Sequence, residues 1–217
     1  MHSGATASES RSLPSFNQIV LNGKINLILT QDSTQQVTVS AGKNLLPGVQ
    51  TLVSGNVLTI QDNNTCLLRD PSDQVNIYIS SNQWQELDYY GAGDVSSTNT
   101  LQTSQFTVDC WVGSGTIRLD LQAGEVNALV RNENATVVLT GTADSAYVYC
   151  GDAGSVDLSG FATDAVGVDH ESIRAISVNA SRALHANIVY KGNVYYKNDP
   201  PLIDTFITST GRLIHLL

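Results

Sequence analysis

The stretch YYGAGDVSSTNT (Tyr89–Thr100) joins two aromatic residues, a Gly-Ala-Gly turn, an acid and a valine, and similar stretches follow it along the chain. Each of these corners ends in an apolar residue. The residues that end them are Val95, Ile117, Val137, Val156, Ala175, Val194 and Leu213. They are 22, 20, 19, 19, 19 and 19 residues apart. A nearly constant period is typical of a repeat architecture, and we expect the corner glycines to provide turns with positive φ.

Apolar and polar residues alternate on both sides of each corner. Examples are FTVDCWV (Phe106–Val112), TIRLDL (Thr116–Leu121) and TVVLTG (Thr136–Gly141). A period of two residues is typical of half-buried β-strands. Short strands in units of about 20 residues predict an all-β fold, a parallel β-helix (β-solenoid) with one unit per rung. The strand before each corner changes phase between units, so some rungs must contain a bulge or a one-residue shift.

The N-terminal third also alternates, for example in FNQIVLNGKINLILTQ (Phe16–Gln31), whereas KNLLPGV (Lys43–Val49) has room for one helical turn. We expect these strands to begin the solenoid and to cap its end, because an open terminal rung exposes unpaired strand edges. Residues 1–15 are polar and are expected to be disordered. The predicted organisation is therefore a disordered segment, 1–15, followed by a single solenoid domain, 16–217.

The charge balance limits the classes of partner. Only 14% of the residues are charged, and the net charge is −9. A nucleic-acid-binding domain needs a basic surface, so we expect no nucleic acid partner. No apolar run is long enough for a membrane span, and the first fifteen residues lack the apolar centre of a signal peptide. Either the protein is cytosolic, or this chain has a processed or recombinant start from which a signal peptide has been removed.

The segment LNGKINLILTQD (Leu21–Asp32) resembles the opening motif of the bacterial head GIN domain, a domain of unknown function grouped with autotransporter adhesins. Gly23, Ile25 and Asn26 match the three residues of that name, and the Gly-x-Gly corners and the late YKGNVYYKNDPPLIDTFITSTGRL match as well. The middle corners depart from the pattern, with ENA and ESI in place of Gly-Ser-Gly. The resemblance implies a right-handed parallel β-helix in the periplasm or at the cell surface, with no enzymatic activity and no established ligand.

Several acids could carry chemistry, because polysaccharide-cleaving β-helices use pairs of carboxylates. Those on neighbouring rungs are Asp152, Asp157, Asp164, Asp169 and Glu171. They are scattered through corners and have few basic residues near them. We therefore interpret them as solvated surface charge.

His170 and His185 lie on adjacent rungs and could act as a base or as metal ligands, but no second pair completes a tetrahedral site. Ser172 in the sequence HES lies beside a histidine in a turn, which does not make a triad. The glycine corners lack the helix that a phosphate loop needs and the nine-residue repeat of calcium-binding β-rolls. We predict no catalytic residue, no metal and no cofactor.

The three cysteines, Cys66, Cys110 and Cys150, are an odd number, which argues against a disulfide framework. Cys110 and Cys150 occupy similar places two rungs apart. Two rungs are about 9.6 Å, beyond the roughly 7 Å between Cα atoms that a disulfide permits. We expect both to be buried free thiols.

The tyrosines provide the best candidate for a binding surface. In the sequence AYVYC, Ala146, Val148 and Cys150 form an inward set, so Tyr147 and Tyr149 are predicted to face outward. Exposed aromatic rings on a flat sheet can stack on sugar rings or pack against a protein partner. The alternative interpretation is an ordinary amphipathic strand.

Three functions remain open. The first is a non-enzymatic cell-envelope module, an adhesin that presents a flat β-helix face to a neutral glycan or a cell-surface protein. The second is a polysaccharide lyase or hydrolase on the same scaffold. The third is a structural self-assembly module, which would form a homo-oligomer. The sequence shows no convergent cluster of acid, base and cation, and this favours the first.

Overall fold

The computed structural model describes residues 3–64, 74–131 and 134–216, and its regular structure is almost entirely β. A single 3₁₀ turn at Leu46–Gly48 lies in the stretch where a helical turn is predicted. The strands are β1 (Thr6–Arg11), β2 (Gln18–Gly23), β3 (Ile25–Gln31), β4 (Gln36–Gly42), β5 (Val49–Ser54), β6 (Val57–Asp62), β7 (Val75–Ser81), β8 (Glu86–Gly91), β9 (Val95–Ser97), β10 (Leu101–Cys110), β11 (Thr116–Val130), β12 (Thr136–Asp152), β13 (Ser155–Ser172), β14 (Ile176–Ile188), β15 (Val194–Lys197), β16 (Leu202–Ile207) and β17 (Leu213–His215). None of the described residues form a helix long and apolar enough to cross a membrane.

Parallel pairing between successive turns of the chain builds a β-solenoid. β11 pairs with β12 from Thr116 opposite Thr136 to Val130 opposite Cys150, an offset of 20 residues. β12 pairs with β13 and β13 with β14 in the same parallel sense. The prediction of an all-β solenoid with about 20 residues per rung is therefore confirmed.

The apolar residues that end the corners stack in one inward column. Its members are Val95, Ile117, Val137, Val156, Ile176, Val194 and Leu213. The prediction of Ala175 in this column is wrong by one residue. Ala175 is exposed, whereas Ile176 is buried and pairs with Val194. The ESIRA corner has no glycine to mark its turn, so its sequence does not show where the strand begins.

A second inward column lies at the ends of the strands that lead into the corners. Its members are Tyr89, Cys110, Val130, Cys150, His170, Ile188 and Ile207. Val95 lies six positions after Tyr89, but Ile117 lies seven positions after Cys110. The extra residue lies in the corner between the two strands. It is the predicted one-residue shift, and it explains why the inward position alternates along the sequence.

The Gly-x-Ile-Asn motif forms the corner between β2 and β3. Gly23 has a φ of +93°, which a side chain would strain. Ile25 is fully buried in the core. The Asn26 side chain accepts a hydrogen bond from the Asp94 backbone N–H at 3.1 Å and donates one to the Asn76 side-chain oxygen at 2.9 Å. The motif thus supplies a turn, a core residue and a hydrogen bond between rungs.

The glycines of the later corners permit close approach between rungs. Gly93 and Gly115 do not have the positive φ predicted for them. A Cβ added to Gly93 would lie 2.0 Å from the Ile25 carbonyl oxygen, and one added to Gly115 would lie 2.0 Å from the Gly93 carbonyl oxygen. The prediction of positive φ is therefore wrong here. Glycine is required because bare backbones stack on one another at these corners.

Antiparallel strands close the N-terminal end of the solenoid. β4 pairs antiparallel with β7 and with β1, and β5 pairs antiparallel with β6. The predicted N-terminal capping strands are present. The prediction of disorder for residues 1–15 is wrong for Thr6–Arg11, which form β1. Backbone pairing with β4 holds this strand, and its sequence TASESR has no apolar alternation that would reveal it.

The buried cysteines agree with the predicted rung spacing. Cys110 and Cys150 are both buried and both free, and Val130 lies between them in the second inward column. Cys66 lies outside the described residues.

Candidate functional site

Tyr147 and Tyr149 lie on the outer side of the sheet, as predicted. The residues between and beside them, Ala146, Val148 and Cys150, are buried, and strand geometry turns alternate side chains to opposite sides. Tyr147 is 37% exposed. We call this outer surface of β8, β10, β11, β12 and β13 the tyrosine face. It consists of Tyr90, Trp111, Arg131, Tyr147, Tyr149, Asp169 and Glu171.

Tyr147 lies across the next rung. Its hydroxyl donates a hydrogen bond of 2.5 Å to the Asp169 carboxylate on β13. Its ring passes over Gly167, where an added Cβ would lie 3.4 Å from the ring carbon Cδ2. Because Gly167 has no side chain, nothing at that position lifts the ring away from the sheet. The exposed part of Tyr147 is therefore a flat aromatic surface with a fixed hydroxyl.

Tyr149 repeats the arrangement beside it. Its hydroxyl donates to the Glu171 carboxylate at 3.0 Å. The other Asp169 oxygen accepts a hydrogen bond of 3.1 Å from the Asn187 side chain. Two tyrosine–carboxylate pairs thus lie side by side on one flat surface.

The tyrosine hydroxyls remain donors over the physiological pH range. Burial, followed by the hydrogen bond to Asp169, raises the pKa of Tyr147 to about 12. Burial and the hydrogen bond to Glu171 also raise the pKa of Tyr149. Both carboxylates keep further lone pairs, which can accept hydrogen bonds from the hydroxyl groups of a ligand.

A second group of side chains extends the tyrosine face toward β8. The Arg131 guanidinium lies 4.4 Å from the centre of the Trp111 ring and forms a two-pronged ion pair with Asp109, at 2.7 and 2.8 Å. Tyr90 lies on the neighbouring rung, its ring 6.3 Å from that of Trp111 and nearly parallel to it. Trp111 thus lies between an aromatic ring of one neighbouring rung and a cation of the other.

Sequence reasoning did not find Trp111 and Arg131. Each follows an inward residue directly, Cys110 or Val130, and occupies the extra position of a seven-residue spacing. The alternation of apolar residues before the corners is the signal that could have placed them outward. The alternation predicts their outward positions only if the extra residue of each seven-position spacing is placed in the corner and not in the strand.

Acidic residues collect at the β8 edge of the tyrosine face. Asp88 pairs with Asp109 across adjacent strands, and Glu86 lies two residues earlier on the same side. Burial, followed by the negative charges of Asp88 and Asp109, raises the pKa of Glu86. Burial and the charge of Asp109 raise the pKa of Asp88, and the positive charge of Arg131 opposes this.

The five acids considered from the sequence do not form one cluster. Only Asp169 and Glu171 belong to the tyrosine face. Asp157 accepts a hydrogen bond from the Ser159 N–H at 2.9 Å, and Asp164 accepts one from Ser181 at 3.0 Å. Asp152 lies at a corner with a φ of 47°. Across residues 3–64, 74–131 and 134–216, no group of three potential ligands could hold a metal ion.

The two histidines point to opposite sides of their sheet. His185 is on the outer side, where it lies 2.9 Å from Asp204. His170 is fully buried in the second inward column, and neither ring nitrogen has a hydrogen-bond partner among the described residues. Burial lowers the pKa of His170, so the ring is neutral at pH 7. Ser172 is also buried and donates to the Gly154 carbonyl oxygen at 2.8 Å, away from any possible substrate.

Crystal structures of other bacterial proteins share this fold. A "putative adhesin" from Bacteroides fragilis aligns with a TM-score of 0.91 and 20% identity, over 98% of this chain and 97% of that chain. A "putative adhesin" from Parabacteroides distasonis aligns with a TM-score of 0.71 and 20% identity, over 98% of each chain. A "putative lipid binding protein" from Parabacteroides distasonis aligns with a TM-score of 0.71 and 20% identity, over 99% of this chain and 98% of that chain. At these identities, the similarity establishes the fold alone. No functionally curated protein matches the chain.

The sequence also matches a family model described as "Putative auto-transporter adhesin, head GIN domain", over residues 15–200. The matched region contains the Gly23–Asn26 corner, the stacked glycine corners and the whole tyrosine face. The chain therefore belongs to the head GIN domain family.

Proposed function

We propose that this protein is a non-enzymatic adhesin module of the cell envelope, located in the periplasm or at the cell surface, and that the tyrosine face binds a neutral glycan. The family description as an auto-transporter adhesin supports an adhesive role. The observation that carries the proposal is the pair of neighbouring tyrosines whose hydroxyls are fixed by Asp169 and Glu171 of β13.

The chemistry of this surface matches that of a sugar ring. The apolar face of a pyranose stacks on an aromatic ring such as that of Tyr147, and its hydroxyls donate hydrogen bonds to carboxylates. The solenoid holds both groups rigid, so little conformational entropy is lost on binding. The ligand needs no conformational change in the protein.

The charge of the protein selects against anionic polymers. Residues 1–171 contain 18 of the 20 Asp and Glu residues and 6 of the 11 Lys and Arg residues, a net charge of −12. The tyrosine face lies within this acidic part of the chain. Like charges repel at the approach distances that matter for association. A neutral glycan avoids that repulsion, and a protein partner would need a basic surface.

A glycan array followed by titration calorimetry on the best ligand tests the proposal. Tyr147→Ser removes the ring, and we expect the affinity to fall about tenfold, because an aromatic stack contributes about 1–3 kcal/mol. Tyr78→Ser is the matched control, since Tyr78 is an exposed strand tyrosine on β7, outside the tyrosine face. Equal affinity of the two variants would refute the assignment of the site. Binding of a protein partner with the same dependence on Tyr147 would show that the ligand class is wrong.

Glycan cleavage is a second candidate, and one observation favours it. Glu86 and Asp88 have raised pKa values and lie near Asp109 and Arg131, so a carboxylic acid and a cation share one surface. An enzyme would release new chain ends from a bound glycan, and Asp88→Asn would abolish the release. Release of chain ends by the wild type but not by Asp88→Asn would overturn the non-enzymatic proposal.

A further inference from the structure

The last rung of the solenoid has an open edge. β16 (Leu202–Ile207) pairs with β14 on one side, and no strand of the described residues pairs with its other side. All six of its residues are exposed, four of them apolar. An unpaired apolar strand is a template for the addition of another strand.

One edge at the N-terminal end of the solenoid is protected against strand addition. β1 covers β4 there, and every residue of its sequence TASESR except Ala7 is polar. Arg11 and Glu9 of β1 form an ion pair at 3.2 Å. Charged side chains on a short edge strand prevent further pairing. The other N-terminal edge is β5, which pairs only with β6 among the described residues. Leu52 is its one exposed apolar residue, whereas β16 has four, so β16 is the edge best suited to association.

The direction of each side chain on β16 follows from its pairing with β14. Ile203 and Ile207 lie opposite Leu184 and Ile188, which are buried in the core. Ile203 and Ile207 themselves are 41% and 44% exposed. Thr205 lies between them and opposite the buried Ala186. The inward columns of the solenoid thus continue into β16, where no strand of the described residues covers them.

The backbone groups of the same three residues point to the open edge. Thr208 donates its N–H to the Ile188 carbonyl oxygen on β14. Successive residues of a strand alternate the side to which their N–H and C=O point. Ile203, Thr205 and Ile207 therefore direct their N–H and C=O groups away from β14, where a second strand would pair with them.

We propose that a second copy of this chain occupies the edge, with the two β16 strands antiparallel about a two-fold axis at Thr205. Each Ile203 then lies opposite an Ile207 of the other copy, and the inward columns of both solenoids join. A slip of one residue would place inward side chains opposite outward ones. A slip of two residues in one direction would place Asp204 opposite its own copy, where like charges repel.

The unpaired backbone groups of β16 favour a protein strand over a lipid surface. His185 lies 2.9 Å from Asp204, so the acid of the edge already has a partner within its own chain. After Glu171, the chain contains five Lys and Arg residues and two Asp residues, a charge that would attract an anionic membrane. However, the unpaired N–H and C=O groups of an open edge find no partners in lipid, whereas a second strand satisfies them.

The size of the end face predicts a weak dimer. Six residues span roughly 20 Å, and the two sheets of a rung lie about 10 Å apart. The face is therefore a few hundred Å², below the roughly 800 Å² per partner of a standard interface. We expect a dimer with a dissociation constant in the micromolar range.

Cysteine cross-linking tests the geometry, in a Cys66→Ser background that leaves only buried native thiols among the described residues. Thr205→Cys places two thiols on the two-fold axis, with about 5.5 Å between Cα atoms, so oxidation should give a disulfide-linked dimer. Asp204→Cys is the matched control. In the proposed register, the Cα atoms of the two copies of residue 204 lie about 8 Å apart, so these cysteines should not cross-link. Cross-linking of Asp204→Cys in preference to Thr205→Cys would overturn the proposed register.

Sedimentation equilibrium tests the association itself. Wild-type protein should dimerise with increasing concentration, and Ile203→Lys/Ile207→Lys should raise the dissociation constant at least tenfold. Leu52→Lys, at an exposed leucine on β5, should leave the dissociation constant unchanged. A wild type that stays monomeric at 100 μM protein, about the upper end of the micromolar range, would refute the proposal. So would a monomer that binds vesicles of anionic lipid through Ile203 and Ile207. Glycan binding at Tyr147 does not depend on either outcome.

Discussion

The stacked glycine corners can be tested by adding one methyl group. In Gly115→Ala, the new Cβ would lie 2.0 Å from the Gly93 carbonyl oxygen and 2.1 Å from the Tyr89 hydroxyl oxygen. The Gly93 oxygen is backbone and is tied into its own rung, so it cannot move as a flexible side chain would. The Tyr89 hydroxyl donates to that same oxygen at 2.6 Å, and Tyr89 is fully buried.

The magnitude follows from three contributions. Overpacking of a rigid site costs about 1–3 kcal/mol. Loss of the Tyr89 hydrogen bond costs about 0.5–1.5 kcal/mol. Alanine lowers the conformational entropy of the unfolded chain, which stabilises the folded protein by about 0.4–1 kcal/mol and offsets part of this loss. We expect Gly115→Ala to lower the free energy of unfolding by about 2–3 kcal/mol, a large part of the 5–15 kcal/mol typical of a domain.

Urea denaturation followed by circular dichroism measures this change, and Gly160→Ala is the matched control. Gly160 is exposed, and a Cβ there would lie 3.3 Å from the flexible Thr140 side chain. The control should be unchanged or up to about 1 kcal/mol more stable. Equal stability of Gly115→Ala and the wild type would refute the close approach of rungs at this corner.

Two further predictions concern buried titratable groups. Burial raises the pKa of the Cys150 thiol to about 12 and also raises that of Cys110. Both should react with a thiol reagent at pH 8 only after unfolding, and rapid reaction of the folded protein would contradict their burial. Burial lowers the pKa of His170 in the folded state, so protonation favours the unfolded chain. Its stabilising contribution is complete above about pH 6.5, the unfolded value, and is lost as the pH falls below it. The free energy of unfolding should decline as the pH falls below about 6.5, and His170→Leu should flatten that slope. An equal slope in the variant would show that another group is responsible.

Much of the fold could be predicted because it depends on local patterns. The 20-residue period and the two-residue alternation indicate stacked strands without knowledge of any contact. The same alternation placed Tyr147 and Tyr149 outward, because Ala146, Val148 and Cys150 could only be the inward set. The N-terminal motif also carried the family resemblance, since its glycine, isoleucine and asparagine each have a fixed structural role.

The remaining features required the tertiary structure, because they depend on register between rungs. One additional residue in a corner reverses which neighbour faces the core, and this concealed the outward positions of Trp111 and Arg131. The sequence predicts turns with positive φ at the corner glycines. In the structure, glycine is required at Gly93 and Gly115 because carbonyl groups of the preceding rung leave no room for a side chain. β1 carries no apolar pattern, because backbone pairing with β4 holds it and only Ala7 packs against the core. Alternation along one strand shows that a side chain changes sides, but only the pairing of that strand with its neighbours decides what the side chain meets.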